Sequence, residues 1–130
     1  MRLKKVETMK LYCKRCNELL TPKTLIKADE DELRFEEGEE LLPKGKYVLN
    51  DDIWNFDKLE TSYLINIKSI ILKDHDDKSR MVGCCGPSGL DGFNQLCPNC
   101  NEEVGILVAD CFTLHFVGID VNKVSLKPLW

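Results

Sequence analysis

Two Cys-x-x-Cys pairs, Cys13-Lys14-Arg15-Cys16 and Cys97-Pro98-Asn99-Cys100, constrain this chain more than anything else in it. Four thiolates offered as two tight knuckles are what a closed tetrahedral zinc site takes, because zinc is borderline-soft and accepts four sulfur ligands. Two intervening residues let the backbone turn around one ion. Both sulfurs then point inward, and the backbone amides of the turn face the thiolates and soften their charge. Cys16 and Cys97 lie 81 positions apart, so closing the site restricts most of the unfolded ensemble. The metal, Zn2+, is therefore expected to be a folding determinant, contributing on the order of 10 kcal/mol or more. The competing account is two disulfides or four buried thiols. It suits a seven-cysteine chain without a secretory signal less well than metal binding does.

At 130 residues and 43% hydrophobic content, residues 1–130 fit one domain with its own core. The opening MRLKKVETMK has no apolar stretch of the signal-peptide kind, and no window approaches the roughly 18 apolar residues of a membrane span. An odd number of cysteines would leave one thiol unpaired in an oxidising compartment. These features point to a reducing cytoplasmic setting with no membrane partner.

The net charge of −4 is unevenly spread. Eight Lys or Arg against two Glu fall within residues 1–27, whereas eight acids against Arg34 fall within residues 28–40. A basic knuckle beside an acidic loop raises the possibility of nucleic-acid contact. No aromatic residue reads as interleaved with these cations to stack on bases. Because a Zn(Cys)4 centre carries a formal charge of −2, Lys14, Arg15 and Lys10 are read instead as neutralising the site.

Mostly strands are expected. Met9 to Cys13 and Glu18 to Thr21 form a short hairpin around the first knuckle, with Pro22 ending it. DEDELRFEEG, from Asp29 to Gly38, is too acidic to pack apart from Leu33 and Phe35, whose alternation permits one exposed strand or hairpin, and elsewhere reads as a solvated loop. Tyr47-Val48-Leu49-Asn50 and Tyr63-Leu64-Ile65-Asn66 are matching tetrads, each a strand ending at an Asn able to cap a helical turn. Ile53, Phe56 and Leu59 follow the first tetrad, and Ile67, Ile70 and Ile71 follow the second. Both triplets read as core. A single buried strand over Tyr63 to Leu72 is the alternative. Trp54 and Phe56 read as packing, or as the wall of a ligand pocket. His75, in Asp74-His75-Asp76-Asp77, reads as part of an exposed turn.

GCCGPSGLDGFNQLCPNC spaces Gly83, Gly86, Gly89 and Gly92 three apart, a loop whose backbone takes positive φ or approaches a ligand or the knuckle closely. Within it Cys84 and Cys85 are either small packing residues at a tight corner, reactive thiols, or ligands to a second metal. Val104 and Ile106 to Ala109 make a strand. A second one through Cys111-Phe112-Thr113-Leu114-His115-Phe116 would put Cys111, Thr113 and His115 on one face and Phe112, Leu114 and Phe116 on the core face. Cys111 and His115 are thus candidates for a nucleophile pair, with Asp110 or Asp91 as the orienting group, although the plain outer side of a half-buried sheet fits better.

Cys97-x-x-Cys100-x-x-x-Val104-Gly105, with an earlier Cys-x-x-Cys upstream, resembles the zinc core of the β-tent fold: Yippee proteins, the cereblon ligand-binding domain and B-type methionine sulfoxide reductases. That resemblance implies a zinc-clamped sheet with an aromatic-lined groove for small ligands or peptides, for which Trp54 is a candidate wall. The reductases carry His residues where this chain has Glu103 and Ile106, so their chemistry is not carried over. Separately, GCCGPSGLDG followed by Cys-x-x-Cys and Asp-Cys-aromatic-Thr-x-His-Phe resembles a group of small uncharacterised bacterial zinc-ribbon-like proteins, over about Tyr63 to Asp120.

The expectation is a mainly β domain, a small antiparallel sheet of β-tent or zinc-ribbon-like form with one or two short helical turns. One zinc on Cys13, Cys16, Cys97 and Cys100 clamps it, and it works as a small-ligand or protein interaction or scaffold module. The alternatives are a thiol enzyme or redox protein using Cys84 and Cys85 or Cys111 and His115, and a nucleic-acid-binding ribbon working through the basic knuckle.

Overall fold

A computed structural model describes residues 8–50, 62–83, 86–89, 92–111 and 113–127. The chain is mainly β. Its strands in order are β1 (Thr8–Met9), β2 (Tyr12–Cys13), β3 (Leu25–Lys27), β4 (Lys46–Leu49), β5 (Ser62–Ile65), β6 (Lys73–Asp74), β7 (Gln95–Leu96), β8 (Glu103–Val108), β9 (Phe116–Asp120) and β10 (Val124–Ser125). Eight form one sheet in the order β1-β3-β4-β5-β9-β8-β7-β6, and β2 pairs with β10 in a separate small ladder. The sheet is mixed, not purely antiparallel. β3 and β4 run parallel because residues 28–45 leave one end of β3 and cross a face of the sheet before β4 begins. Short helical turns of the expected kind are present: 3-10 turns at Glu30–Glu32, Ile67–Ser69, Lys78–Met81 and Val121–Lys123, with Asn50 also helical at the end of β4.

Strand alternation divides the core in two. Tyr47, Ile65, Val117 and Ile119 face a layer holding Leu11, Leu20, Cys13 and Cys97, while Val48, Leu64, Ile106 and Phe116 face Ala28, Leu41 and Leu42. A bulge keeps both layers filled. Gln95 pairs with Gly105 but Leu96 pairs with Glu103, so one extra residue sits on β8. The extra residue shifts the side-chain phase, and Val104 joins the cysteine-bearing layer although Ile106, two positions on, faces the other. At Gly105 the β8 and β9 backbones approach so closely that an added Cβ would lie 2.6 Å from the Gly118 carbonyl oxygen. Gly105→Ala should therefore destabilise the fold by about 1–3 kcal/mol in urea unfolding.

The matching tetrads pair with each other: Tyr47 opposes Ile65, Val48 opposes Leu64 and Leu49 opposes Tyr63. Asn66 ends β5 as expected. Its side chain accepts from the Lys68 amide (2.9 Å) and donates to the Leu42 carbonyl (2.7 Å). This cap rules out one continuous strand to Leu72. Ile70 is buried, but Ile71 is 55% exposed and is not core, because the 3-10 turn changes the side-chain period. Ile53, Trp54, Phe56 and Leu59 lie outside the described residues.

Candidate metal centre

The first knuckle grows out of β2. The Cys13 amide donates to the Glu18 carbonyl (2.8 Å), and the Asn17 amide donates to the Cys13 carbonyl (2.7 Å), with Asn17 at φ 68°. The second repeats this arrangement. The Cys97 amide donates to the Glu102 carbonyl (2.9 Å), and the Asn101 amide donates to the Cys97 carbonyl (3.0 Å), with Asn101 at φ 64°. Asn tolerates this left-handed conformation better than any other residue except Gly, which is why it closes both turns. Both knuckles read Cys-x-x-Cys-Asn-Glu, a six-residue repeat whose last two positions the sequence reading passed over.

The four sulfurs converge. Cys13 Sγ lies 3.6 Å from Cys100 Sγ and Cys16 Sγ lies 3.6 Å from Cys97 Sγ, with all four within 4.8 Å of one another. Four sulfurs at about 2.3 Å from a shared ion stand about 3.8 Å apart in a tetrahedron, so the cluster has the size of a metal site. Cys13 and Cys97 are fully buried, whereas Cys16 and Cys100 lie towards the rim. β10 covers the first knuckle, pairing Val124 with Cys13, and the Lys14 amide donates to the Lys123 carbonyl (3.1 Å).

The two inner thiols favour their protons. Burial pushes Cys13 up to about 12 despite amide hydrogen bonds from Cys16 and Arg15, and burial likewise raises Cys97 against amides from Cys100 and Asn99. At Cys16 burial works in the same direction, but hydrogen bonds from the Asn99 side chain and the Glu18 amide outweigh it and lower the thiol to about 7. A metal binds thiolates, so at neutral pH it must displace protons from at least Cys13 and Cys97. Affinity should accordingly fall by at least about 100-fold for each unit of acidification near neutrality. Titration calorimetry in buffers of differing ionisation enthalpy would show the release as about two or more protons per ion.

The cations expected to neutralise the site sit differently. Arg15 pairs with Glu102 (3.3 Å), which also takes Lys123 (3.4 Å), while Lys10 and Lys14 point to solvent on the outside of β2.

Cys111 and His115 are not aligned on a strand. The Asp110 backbone carbonyl instead accepts from the Thr113 amide (3.1 Å), the Thr113 hydroxyl (2.9 Å) and His115 Nε2 (2.9 Å). Cys111 is exposed, and β9 starts only at Phe116. His115 tethers the acidic loop through its backbone, accepting from the Leu41 amide (3.0 Å) and donating to the Glu39 carbonyl (2.9 Å). Cys84, Cys85, Asp91 and Phe112 lie outside the described residues. Among the described residues the glycine loop closes on itself and on Ala109. A Cβ at Gly83 would collide with the Gly86 carbonyl, and one at Gly86 with that of Ala109.

His75 is held more firmly than an exposed turn requires. Its Nε2 meets Glu103 (2.9 Å) and its Nδ1 accepts from the Asp77 amide (3.0 Å), while Arg80 donates to the same Glu103 oxygen (3.1 Å). With both ring nitrogens engaged, His75 is a strut between β6 and β8. None of the described helices is long and apolar enough to cross a membrane. Known protein families, curated proteins and solved structures yield no match to this chain.

Proposed function

We propose that this chain is a structural-zinc-binding module, in which the ion seats the β2–β10 layer on the main sheet and the outer surfaces engage a small ligand or a partner protein. The observation that carries this reading is the convergence of Cys13, Cys16, Cys97 and Cys100 within 4.8 Å. Four thiolates select zinc or iron–sulfur chemistry, and a single tetrahedral site of this size suits zinc. Four protein sulfurs also fill the coordination shell, which suits a structural role better than a catalytic one with its open position.

A cleft of about 200 Å³ supports the ligand-binding half of the proposal. Met9, Leu49, Tyr47 and Tyr63 line it with Lys27, the two tyrosine rings meeting edge to face at 6.2 Å between centroids. The β-tent resemblance implies an aromatic-lined groove, and these tyrosines offer one without Trp54. The thiol-enzyme alternative loses the strand that was to align Cys111 with His115. Elemental analysis of the native protein should find one zinc per chain. Iron with sulfide, or no metal in folded protein, would overturn the reading.

A further inference from the structure

We propose that Lys10, Tyr12 and Lys14 form a binding row for single-stranded nucleic acid, with a base stacked on Tyr12 and phosphates held by the two lysines. Burial along this segment alternates. Leu11 and Cys13 are fully buried, Lys10 and Lys14 are exposed and Tyr12 is half-buried, so positions 10, 12 and 14 share the outer face. The row was missed in sequence because Tyr12 is separated from each cation by a buried residue; β2 covers only Tyr12–Cys13, and it is the alternation of burial from Lys10 to Lys14 that brings the three to one face. Lys10 precedes β2 and Lys14 opens the knuckle turn, so the two cations flank the ring from opposite ends of the strand. Their flexible four-carbon stems let each ammonium reach the backbone beside a stacked base.

The surroundings suit such a strand. Tyr12 has Leu19, 39% exposed, on one side and Ser125 on the other. The ion pairs of this layer are Arg15–Glu102 and Lys123–Glu102, and among the described residues neither the Lys10 nor the Lys14 side chain takes part in one. Glu18 is the exposed carboxylate of the first knuckle. The acidic run over residues 29–40 leads into Leu41 and Leu42, which pack on the opposite face of the sheet, so the sequence's charge separation is also a spatial one. An acidic peptide would satisfy the lysines as well, but an aromatic ring between two cations favours a ligand with stackable faces between its charges.

The inference rests on the metal-clamped reading only in that the first knuckle continues from this row. Fluorescence anisotropy of labelled oligo(dT) and oligo(U) with the full chain, its metal content measured on the same sample, tests both separately. Saturable binding that weakens with salt is expected. Lys10→Gln with Lys14→Gln should make the plot of log affinity against log salt shallower by about 1.4. Tyr12→Ala should cost about tenfold with the slope unchanged, while Tyr12→Phe retains binding and controls for loss of the fold. Zinc-loaded protein that binds neither oligonucleotide overturns this inference alone, as does binding indifferent to the lysine pair. Displacement by poly-glutamate together with unchanged binding by Tyr12→Ala would also overturn it and assign the row to an acidic peptide. Metal-free folded protein that still binds would leave the row standing and remove the clamp.

Discussion

Stripping the metal with a strong chelator, or replacing Cys97 by Ser, should unfold this protein outright, with loss of the far-ultraviolet β signal and of near-ultraviolet aromatic signal in one transition. The magnitude follows from the position of the cluster. Structural zinc contributes on the order of 10 kcal/mol or more, while a whole domain has a net stability of about 5–15 kcal/mol. Cys13 and Cys97 belong to the same core as Leu11, Leu20, Val104 and Ile119, so losing the ion loosens one entire layer of packing, not a surface appendage. Cys111→Ser is the control. That residue is exposed and outside the cluster, and its replacement should leave metal content and stability unchanged. A metal-stripped protein that keeps a cooperative melt within a few degrees of the original would defeat the clamp.

Asn94→Ala should cost about 2–5 kcal/mol, measured by urea unfolding, a large effect for a polar residue outside the cysteine cluster. Asn94 is fully buried, and its side chain takes the place of a neighbouring strand for Leu107, accepting from the Leu107 amide (2.6 Å) and donating to the Leu107 carbonyl (3.0 Å). Its own backbone donates to the Gly105 carbonyl (3.1 Å) and accepts from the His75 amide (2.9 Å). Truncation leaves both Leu107 groups without this partner in a partly buried setting, where each orphaned group costs about 1–3 kcal/mol. Asn94→Asp, which aims a carboxylate oxygen at the Leu107 carbonyl from a fully buried position, should cost at least as much as Ala. Equal stability of all three would show that the side chain is not bridging the strands.

Much of this was legible, and the reason differs by residue. The cysteines could be read because metal coordination fixes their spacing locally within each knuckle, whatever the rest of the chain does. The tetrads Tyr47–Asn50 and Tyr63–Asn66 could be read because alternation and Asn chemistry agree, although their mutual pairing emerges only in three dimensions. Asn94 could not. It lies in a glycine-rich run that reads as loop, and its role depends on a bulge one strand away. The expected strand through Cys111 to His115 failed for a similar reason. Aromatic and β-branched residues gave it strand propensity, but the Asp110 carbonyl collects three local donors and these local bonds win. The parallel β3–β4 pair was also invisible, because the crossover that creates it is built from an acidic segment that looked too polar to pack. Its apolar anchors, Leu41 and Leu42, sit just beyond the charged run.

The joining of the two knuckles bears on how the molecule is made. During synthesis the first knuckle emerges with half of its ligands missing, and it must wait for more than eighty further residues before its partner leaves the ribosome. In that interval Cys13 and Cys16 can hold an ion only weakly, and their thiols face oxidants and competing metals. Assembly of the sheet is thereby tied to the last long-range closure, which is the slow kind of contact to form. Metal supply at that moment, more than the intrinsic strand propensities, would then set how much of the newly made chain reaches its folded form.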